Sequence, residues 1–342
     1  ADLDITAFYE VEAAPINPSD LAILTGAADF ENAEYSDGKV VAKMPEPFNS
    51  GQKSRHGQKL PAGNEGAGTV IATGDSDMAK ALKGQRVACV PGNAFSQYAI
   101  ADAAMCLPLG DHSAEAGASS FVNPMTALGF VENAKADSQN AILHTVGASN
   151  LGQMLNRICL EDGIDLVNIV RKDDQAELLK SQGAKHVVNS SDDDFMDQLR
   201  SAIDETNAFY GFDPIGGGQM VDSCFKAMEQ VAVSKMTEYS RYGSNQAKRM
   251  FIYGRLDFGP TILTPAYGFG WTLSGWLLTP FLQNAGMETV MRMRTRVLKN
   301  LTTTFASSYK TKVDLEGMLT KEAILDYRQM KTGEKYLVTP HG

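Results

Sequence analysis

Cysteine is scarce in this chain of 342 residues: Cys89, Cys106, Cys159 and Cys224 stand far apart, with no C-x-x-C pair. That spacing offers neither a zinc knuckle nor a disulfide framework, and it fits a reducing, cytoplasmic setting. The five histidines, His56, His112, His144, His186 and His341, share no ligand spacing with one another or with the cysteines, so no metal is expected. Positive charge is the minority, 31 Lys and Arg against 41 Asp and Glu, giving a net charge of -10 and a pI near 5.1. An acidic exterior argues against nucleic acid and against an anionic membrane surface, while leaving room for one local basic pocket. No basic-then-apolar leader opens the chain, and since Ala1 is not a methionine, N-terminal residues are expected to have been cut or left out. Repeats and low-complexity tracts are also missing. The longest apolar stretch, 260–281, is broken by Pro265, Pro280 and small residues, and its most apolar part is shorter than about 20 residues, so no membrane span is expected. It is expected to lie against a cleft or a subunit partner, or to be core.

What is present is a chain long enough for two domains, each able to bury a core without disulfides. Its centre is the stretch from Ala141 to Lys172, AILHTVGASNLGQMLNRICLEDGIDLVNIVRK. A β-prone run, 141–145, leads into a turn at Gly147, Ala148, Ser149 and Asn150. Leu151, Met154, Leu155, Ile158 and Cys159 then repeat at helical spacing. Gly163 stops the helix and 166–170 supplies a second β-branched run, which completes a βαβ unit with a right-handed crossover. Small residues at Gly147 and Gly152 let backbone approach a pyrophosphate, whose charge the N–H groups and dipole of the helix start would stabilise. The strict G-x-G-x-x-G fingerprint is not met, and an ordinary βα turn is the competing reading.

The end of the second strand discriminates between cofactors. An NAD site places an acidic residue there, roughly 20 residues past the glycines, for the ribose 2′-hydroxyl. Here Arg171 and Lys172 occupy it, and cationic donors suit the 2′-phosphate of NADP. The alternative is a solvated helix start with Asp174 as N-cap.

Before this unit the chain reads as mainly β. Residues 3–14 alternate as a strand, and Pro15 and Pro18 end it in PINPSD, putting Asn17, Ser19 and Asp20 on a turn before a short helix at 21–24. Residues 26–59 read as a long surface loop of the kind that forms lids. Further strands are expected within 60–74, 84–91 and 95–100. Alanine-rich helices follow at 114–121 and 126–134. Beyond Arg171, helices and strands alternate up to a fifth strand at 250–254, which predicts a doubly wound sheet. An amphipathic helix from Gly286 to Leu301 and a strand at 336–338 close the chain.

Taken together, VEAAPINPSDL, PAGNEGAGTV, GQRVACVPGNAFSQYAIA, FVNPMTALG, ILHTVGASNLGQML, VNIVRK and GEKYLVTP resemble the medium-chain dehydrogenase/reductase superfamily. The zinc-independent quinone oxidoreductase and 2-enoyl thioester reductase branch is the most similar. The resemblance implies an α/β protein in two domains: a Rossmann doubly wound parallel sheet over 123–265, and a GroES-like β-barrel domain from 1–122 and 266–342. It also implies NADP(H) in the cleft between them and a homodimer. Zinc-dependent members carry Cys in the PINPSD segment, a His-Glu pair where this chain has Asn64 and Glu65, and four clustered cysteines for a second zinc; this chain has none of these.

The implied activity is hydride transfer from NADPH to a small quinone or α,β-unsaturated carbonyl, with a 2-enoyl thioester reductase, or an NADPH-binding sensor or structural protein with little turnover, as alternatives. Reduction builds negative charge on an oxygen, which a donor must meet. The tyrosine that enoyl reductases of this branch carry after NPSD, in a Gly-x-Tyr context, is absent here, where the corresponding residues are Gly26, Ala27 and Ala28, leaving Tyr9, Tyr35 and Tyr98 as substitutes. By resemblance, Asn17 and Thr126 touch the nicotinamide side and stand as the catalytic candidates. Ser149, Asn150, Leu151 and Gly152 match the pyrophosphate turn, and Arg171 and Lys172 the 2′-phosphate subsite. Asp213, Tyr253 and Gly254 match strand ends around the riboses, and Trp271 and Trp276 the substrate pocket.

Overall fold

The structure, a computed structural model, describes residues 3–333 and 335–342. The first strand, β1 (Thr6–Pro15), alternates buried and half-buried positions until it is buried at its end. Pro18 then opens α1 (Pro18–Leu24) rather than extending a turn, with Asn17 as its N-cap. A proline in the first helical turn forfeits only an N–H that has no helical partner there. Ser19 and Asp20 therefore sit inside the helix, where the sequence reading had a turn.

The expected loop over 26–59 is largely structured. It contains a hairpin, β2 (Asp29–Ser36) and β3 (Lys39–Lys43), followed by the single-turn α2 (Phe48–Gly51). The signal was the dipeptide Asp37-Gly38: Ser36 pairs with Lys39 across a two-residue turn, and Gly38 takes φ +66°. The flanking runs, DFENAEYS and KVVAK, mix polar and apolar residues without a clean alternation. Next come β4 (Gly66–Thr73), α3 (Asp77–Ala81), β5 (Arg86–Cys89), β6 (Tyr98–Asp102), β7 (Leu107–Pro108) and α4 (Ala114–Gly117).

The centre of the chain alternates as predicted: α5 (Val122–Ala136), β8 (Ala141–His144), α6 (Asn150–Asp162), β9 (Asp165–Val170), α7 (Asp173–Ser181), β10 (His186–Asn189), α8 (Phe195–Thr206), β11 (Tyr210–Asp213), α9 (Met220–Ser234) and β12 (Lys248–Ile252). Lys172, not Asp174, is the N-cap of α7. A sixth strand, β13 (Trp271–Gly275), pairs parallel with β12 along its full length, so the sheet does not close at 254. The strand order is β10-β9-β8-β11-β12-β13, two mononucleotide halves meeting between β8 and β11. The next helix, α10 (Leu278–Lys299), is interrupted at Gly286, which takes φ +81°, so the expected amphipathic helix is its second half.

The chain ends in β14 (Thr311–Val313), α11 (Lys321–Tyr327) and β15 (Tyr336–Val338). Antiparallel pairing of β15 with the end of β1 brings both ends of the sequence into one sheet, ordered β14-β15-β1-β4-β5-β7 with β6 also on β1. Two compact units result, 1–122 with 294–342 and 123–293. Residues 266–293 thus lie in the parallel-sheet unit rather than returning to the β unit, because β13 completes that sheet. Among the described residues no helix is long and apolar enough to cross a membrane.

One charge sits at the heart of the parallel-sheet unit. Lys248, at the start of β12, is fully buried; its Nζ lies 2.7 Å from Glu229 and donates to Ser244 Oγ at 3.0 Å and to the Gln246 carbonyl at 2.7 Å. Burial would raise the Glu229 carboxyl, but the bonds from Lys248 and Ser244 outweigh it and hold the group below its ordinary value. The stabilisation from this lowered acid is present above the ordinary carboxylate value and is lost as pH falls through the lowered one. Removing one partner of such a pair strands the other. Lys248→Met is expected to cost about 3–5 kcal/mol in urea unfolding. The double variant Lys248→Met/Glu229→Gln, in which Gln still pairs with Ser244, should recover most of that loss and shed its share of the acid sensitivity.

Candidate functional site

In the parallel-sheet unit the turn between β8 and α6 is held closed by backbone. The Gly147 N–H donates to the Ile169 carbonyl at 2.9 Å, and Ser149, the N-cap of α6, accepts from the Gly152 N–H at 3.0 Å through its Oγ. A Cβ on Gly152 would overlap the Gly147 carbonyl oxygen, and one on Gly147 would lie 2.8 Å from the Asn168 side chain. Only glycine lets the helix start this close to the strand. The helix has 13 residues, so its dipole and its first N–H groups, at Asn150 and Leu151, lie just past the strand ends, the Gly152 N–H being taken by Ser149. Leu151 is itself buried.

Parallel strands put the other predicted residues along the same edge of the sheet. Arg171 and Lys172 follow the last residue of β9, both exposed, and among the described residues neither side chain has an ion-pair or hydrogen-bond partner. Asp213 ends β11, the strand across the switch point. It accepts from Thr145 Oγ1 and, at 2.7 Å, from the Gly216 N–H, and burial raises its carboxyl above the ordinary value. Both oxygens are engaged within the protein, so Asp213 braces the switch point.

Tyr253 and Gly254 follow β12. The Tyr253 hydroxyl meets His144 Nε2 at 2.7 Å, the rings stack, and burial holds His144 neutral by lowering it to about 3. His144 Nδ1 is buried with no hydrogen-bond partner. Gly254 runs against Pro214, leaving no room for a Cβ. Thr126 is buried in the first turns of α5.

The two tryptophans separate. Trp276 follows the C-terminal end of β13, its ring edge-on to Phe130 and lying where a Cβ on Gly129 would be, its Nε1 donating to Asn133 at 3.3 Å. Trp271 begins β13, opposite Lys248, at the other edge of the sheet, and packs on Phe225 and Tyr267. Its half-buried ring packs against the core at the start of the strand, so it does not stand with the residues of the strand ends.

In the β unit Asn17 is buried. Its Nδ2 donates to Glu65 Oε1 at 2.8 Å, while its Oδ1 is buried without a partner. Glu65 is fully buried and accepts the Phe121 and Val122 N–H groups at 2.9 Å. Asp20 accepts the N–H groups of Asn17 and Asn64, at 2.8 and 2.7 Å, yet burial raises it to about 6. Lys335, from the GEKYLVTP motif, was not singled out by sequence. It donates to Ser119 Oγ at 2.7 Å, and burial lowers it to about 8 against the opposing pull of Glu65 and Asp20. Of the substitute tyrosines, Tyr9 is locked in the core, Tyr35 donates to the Phe30 carbonyl at 2.7 Å, and Tyr98 is half-exposed. Ala28 is buried in an apolar cluster with Ile16, Phe30 and Tyr327. Among the described residues no group of three His, Cys, Asp or Glu side chains could hold a metal ion.

No known family model matches the chain. Over 200 residues it is 30% identical to the mitochondrial enoyl-acyl-carrier-protein reductase of Homo sapiens, a match that takes in 53% of this chain and 44% of that protein. The chain thus spans less than half the length of this curated relative. A crystal structure named as an NADPH:quinone reductase from Mesorhizobium loti has 27% identity and a TM-score of 0.75, covering 98% of this chain and 87% of that one. Escherichia coli quinone oxidoreductase, solved with NADPH, shares the fold at 17% identity and a TM-score of 0.70, covering 98% and 92%. The solved structures it resembles nearly end to end are NADPH:quinone reductases and enoyl reductases of the medium-chain dehydrogenase/reductase superfamily, and the chain shares their fold, a Rossmann unit set into the sequence of a GroES-like β unit.

Proposed function

We propose that the protein is an NADPH-dependent, zinc-independent reductase that passes hydride to small quinones or other α,β-unsaturated carbonyls. The observation that carries the reading is the β8–α6 turn at the switch point of the sheet, with two cations at the tip of the neighbouring strand whose side chains have no partner among the described residues. The close packing at Gly147 and Gly152 sets the start of α6 at the strand end, where its N–H groups and dipole suit a pyrophosphate, so Ser149, Asn150, Leu151 and Gly152 would hold it, and Arg171 and Lys172 the 2′-phosphate. NADPH, when bound, supplies the hydride; the chain supplies position, charge and a proton.

Asn17 and Thr126 are the residues this reading assigns to the nicotinamide, and the buried Asn17 Oδ1, without a hydrogen-bond partner among the described residues, fits an amide N–H donor. Amides at Asn17 and Asn64, held by Glu65 and Ser19, are poor divalent-zinc ligands, which supports the zinc-independent reading. Lys335, tuned to about 8 and bonded to Ser119, is the group in the β unit suited to hold a proton at neutral pH. A cytoplasmic homodimer is part of the same proposal: β13 is an edge strand, and the exposed Leu277, Met287 and Met291 follow it.

Arg171→Ala is expected to weaken NADPH binding about 10- to 100-fold, the loss of one charge-assisted bond of about 1.5–3 kcal/mol, and to leave NADH binding unchanged. Fluorescence titration of both nucleotides reads this, and equal NADH affinity in the unaltered protein would overturn the cofactor assignment. Turnover separates the substrate classes. Consumption of NADPH with 1,4-quinones supports the main reading. Turnover of a short enoyl-CoA alone favours the thioester reductase, the reading the human relative supports. Tight NADPH binding with no turnover of either favours a sensor or structural protein. If Lys335 holds the proton, kcat falls as pH rises past about 8, and Lys335→Met removes that alkaline limb as well as lowering kcat.

A further inference from the structure

We infer that Cys89 and Cys106 form an oxidisable dithiol that closes to a disulfide across two strands of the β unit. The sequence hides the pair, since 16 residues lie between them, but the sheet brings them face to face. In the β5–β7 ladder Val87 pairs with Pro108 and Ala88 with Leu107. The next step of the same antiparallel register sets Cys89 opposite Cys106, and their sulfurs lie 3.1 Å apart. Directly opposed residues in an antiparallel pair have Cα atoms about 4.5 or 5.5 Å apart, within the range of about 4.4–6.8 Å that disulfides span. Closing the bond therefore requires no rearrangement of the strands.

The surroundings favour the chemistry. Both side chains are buried in an apolar cluster with Ala7, Tyr9, Val87 and Ala101. Arg294 clamps the backbone beside the pair, donating to the Ala104 and Cys106 carbonyls at 2.7 and 2.6 Å. The Cys89 thiol donates to the Cys106 sulfur, and with Arg294 nearby this brings the Cys106 thiol below its ordinary value, although burial opposes it; burial and the same bond push Cys89 up. Cys106 is therefore the attacking sulfur. With hydrogen peroxide as oxidant, the Cys106 thiolate takes one oxygen as the O–O bond breaks, giving a sulfenic acid and, after protonation, one water. The Cys89 sulfur then displaces the second oxygen as water and forms the S–S bond. Two thiols are oxidised to one disulfide and one peroxide is reduced to two waters. The resolving sulfur is already in place, so closure outruns further oxidation at Cys106.

The test reads the whole chain. Protein treated with a slight excess of peroxide is unfolded in urea with iodoacetamide and weighed. Between Arg86 and Lys135 there is no Lys or Arg, so one tryptic peptide, 87–135, carries both cysteines. The expected result is two alkyl groups on the chain instead of four, with peptide 87–135 unalkylated, lighter by two hydrogens, and restored to double alkylation by dithiothreitol. Cys106→Ser should block closure, leaving Cys89 alkylated, while Cys224→Ser should leave it intact. Should Cys106→Ser fail to fold, the peptide from the unaltered protein decides alone. Four alkyl groups after peroxide, a sulfonic acid in 87–135 without the link, or a link to Cys159 or Cys224 would each overturn the assignment.

Discussion

Gly152 packs directly on the backbone of Val146 and Gly147, and Gly147 on the side chains of Asn168 and Leu179, so neither position has room for a Cβ where β8 turns into α6. The constraint is steric, and its consequences are topological. A helix begun this close to its strand packs back on the sheet and returns the chain parallel to β8 as β9, and the same crossover repeats to β10. The chain then returns to the other side of β8 and lays down β11, β12 and β13. The junction between these two halves is where Asp213 reaches Thr145, so a buried carboxylate ties together the ends of β8 and β11, the paired strands at the switch point. The ends of β8, β9, β11 and β12 line up because all of them run the same way. A helix N-terminus, two cations and a tyrosine therefore face one region without any loop having to carry them there.

The β unit solves a different problem, how to hold charge inside a small sheet. Glu65, Asp20 and Lys335 are all desolvated, and a buried ion pair alone seldom offsets that cost. What offsets it here is backbone: four N–H groups, from Asn17, Asn64, Phe121 and Val122, point at the two carboxylates. These donors come from helix starts and a turn, whose N–H groups lack partners of their own, so each carboxylate satisfies a debt the fold already carries. The cluster joins segments distant in sequence, because Lys335 reaches it only once β15 has paired with β1.

Much of this was legible in the sequence, for identifiable reasons. The βαβ unit announces itself through helical spacing from Leu151 to Cys159, through Gly163 at φ +66°, and through two strands too apolar to be anything but central. β15 was legible from three residues because Tyr336, Leu337 and Val338 are all buried. Elements whose evidence is tertiary were not legible. The hairpin of β2 and β3 mixes Asp, Glu, Asn and Lys with Phe30, Tyr35, Val40 and Val41 in no clean alternation, so only the Asp37-Gly38 turn marks it. β13 lies in a stretch rich in glycine and proline and becomes a strand because β12 offers it an edge. Trp271 shows the cost of missing it: without the strand direction, two tryptophans five residues apart look like neighbours, whereas the strand sets them at opposite edges of the sheet. Asn17, Thr126 and the turn residues were singled out by motif and resemblance, and Lys335 was passed over because its environment depends on partners as far away in sequence as Asp20.

The missing tyrosine can now be read as a matter of space as much as of chemistry. Ala28 lies in the apolar cluster formed by Ile16, Phe30, Tyr327 and Val338, packed against the hairpin residues Tyr35 and Val40. A phenol ring there would need the volume those side chains fill, and adding that much to a packed core costs about 1–3 kcal/mol or more. The hydroxyl of Tyr35 does not take over, since it is spent on the Phe30 carbonyl, and Tyr9 is enclosed beside the two cysteines. Any proton this unit delivers must therefore come from a group whose affinity for it lies near neutrality and which is not sealed in the core. Tyrosines raised by burial move away from that range, while a lysine lowered by burial moves toward it. Desolvation, the force that makes Lys335 expensive to bury, is the same force that fits it to give up a proton.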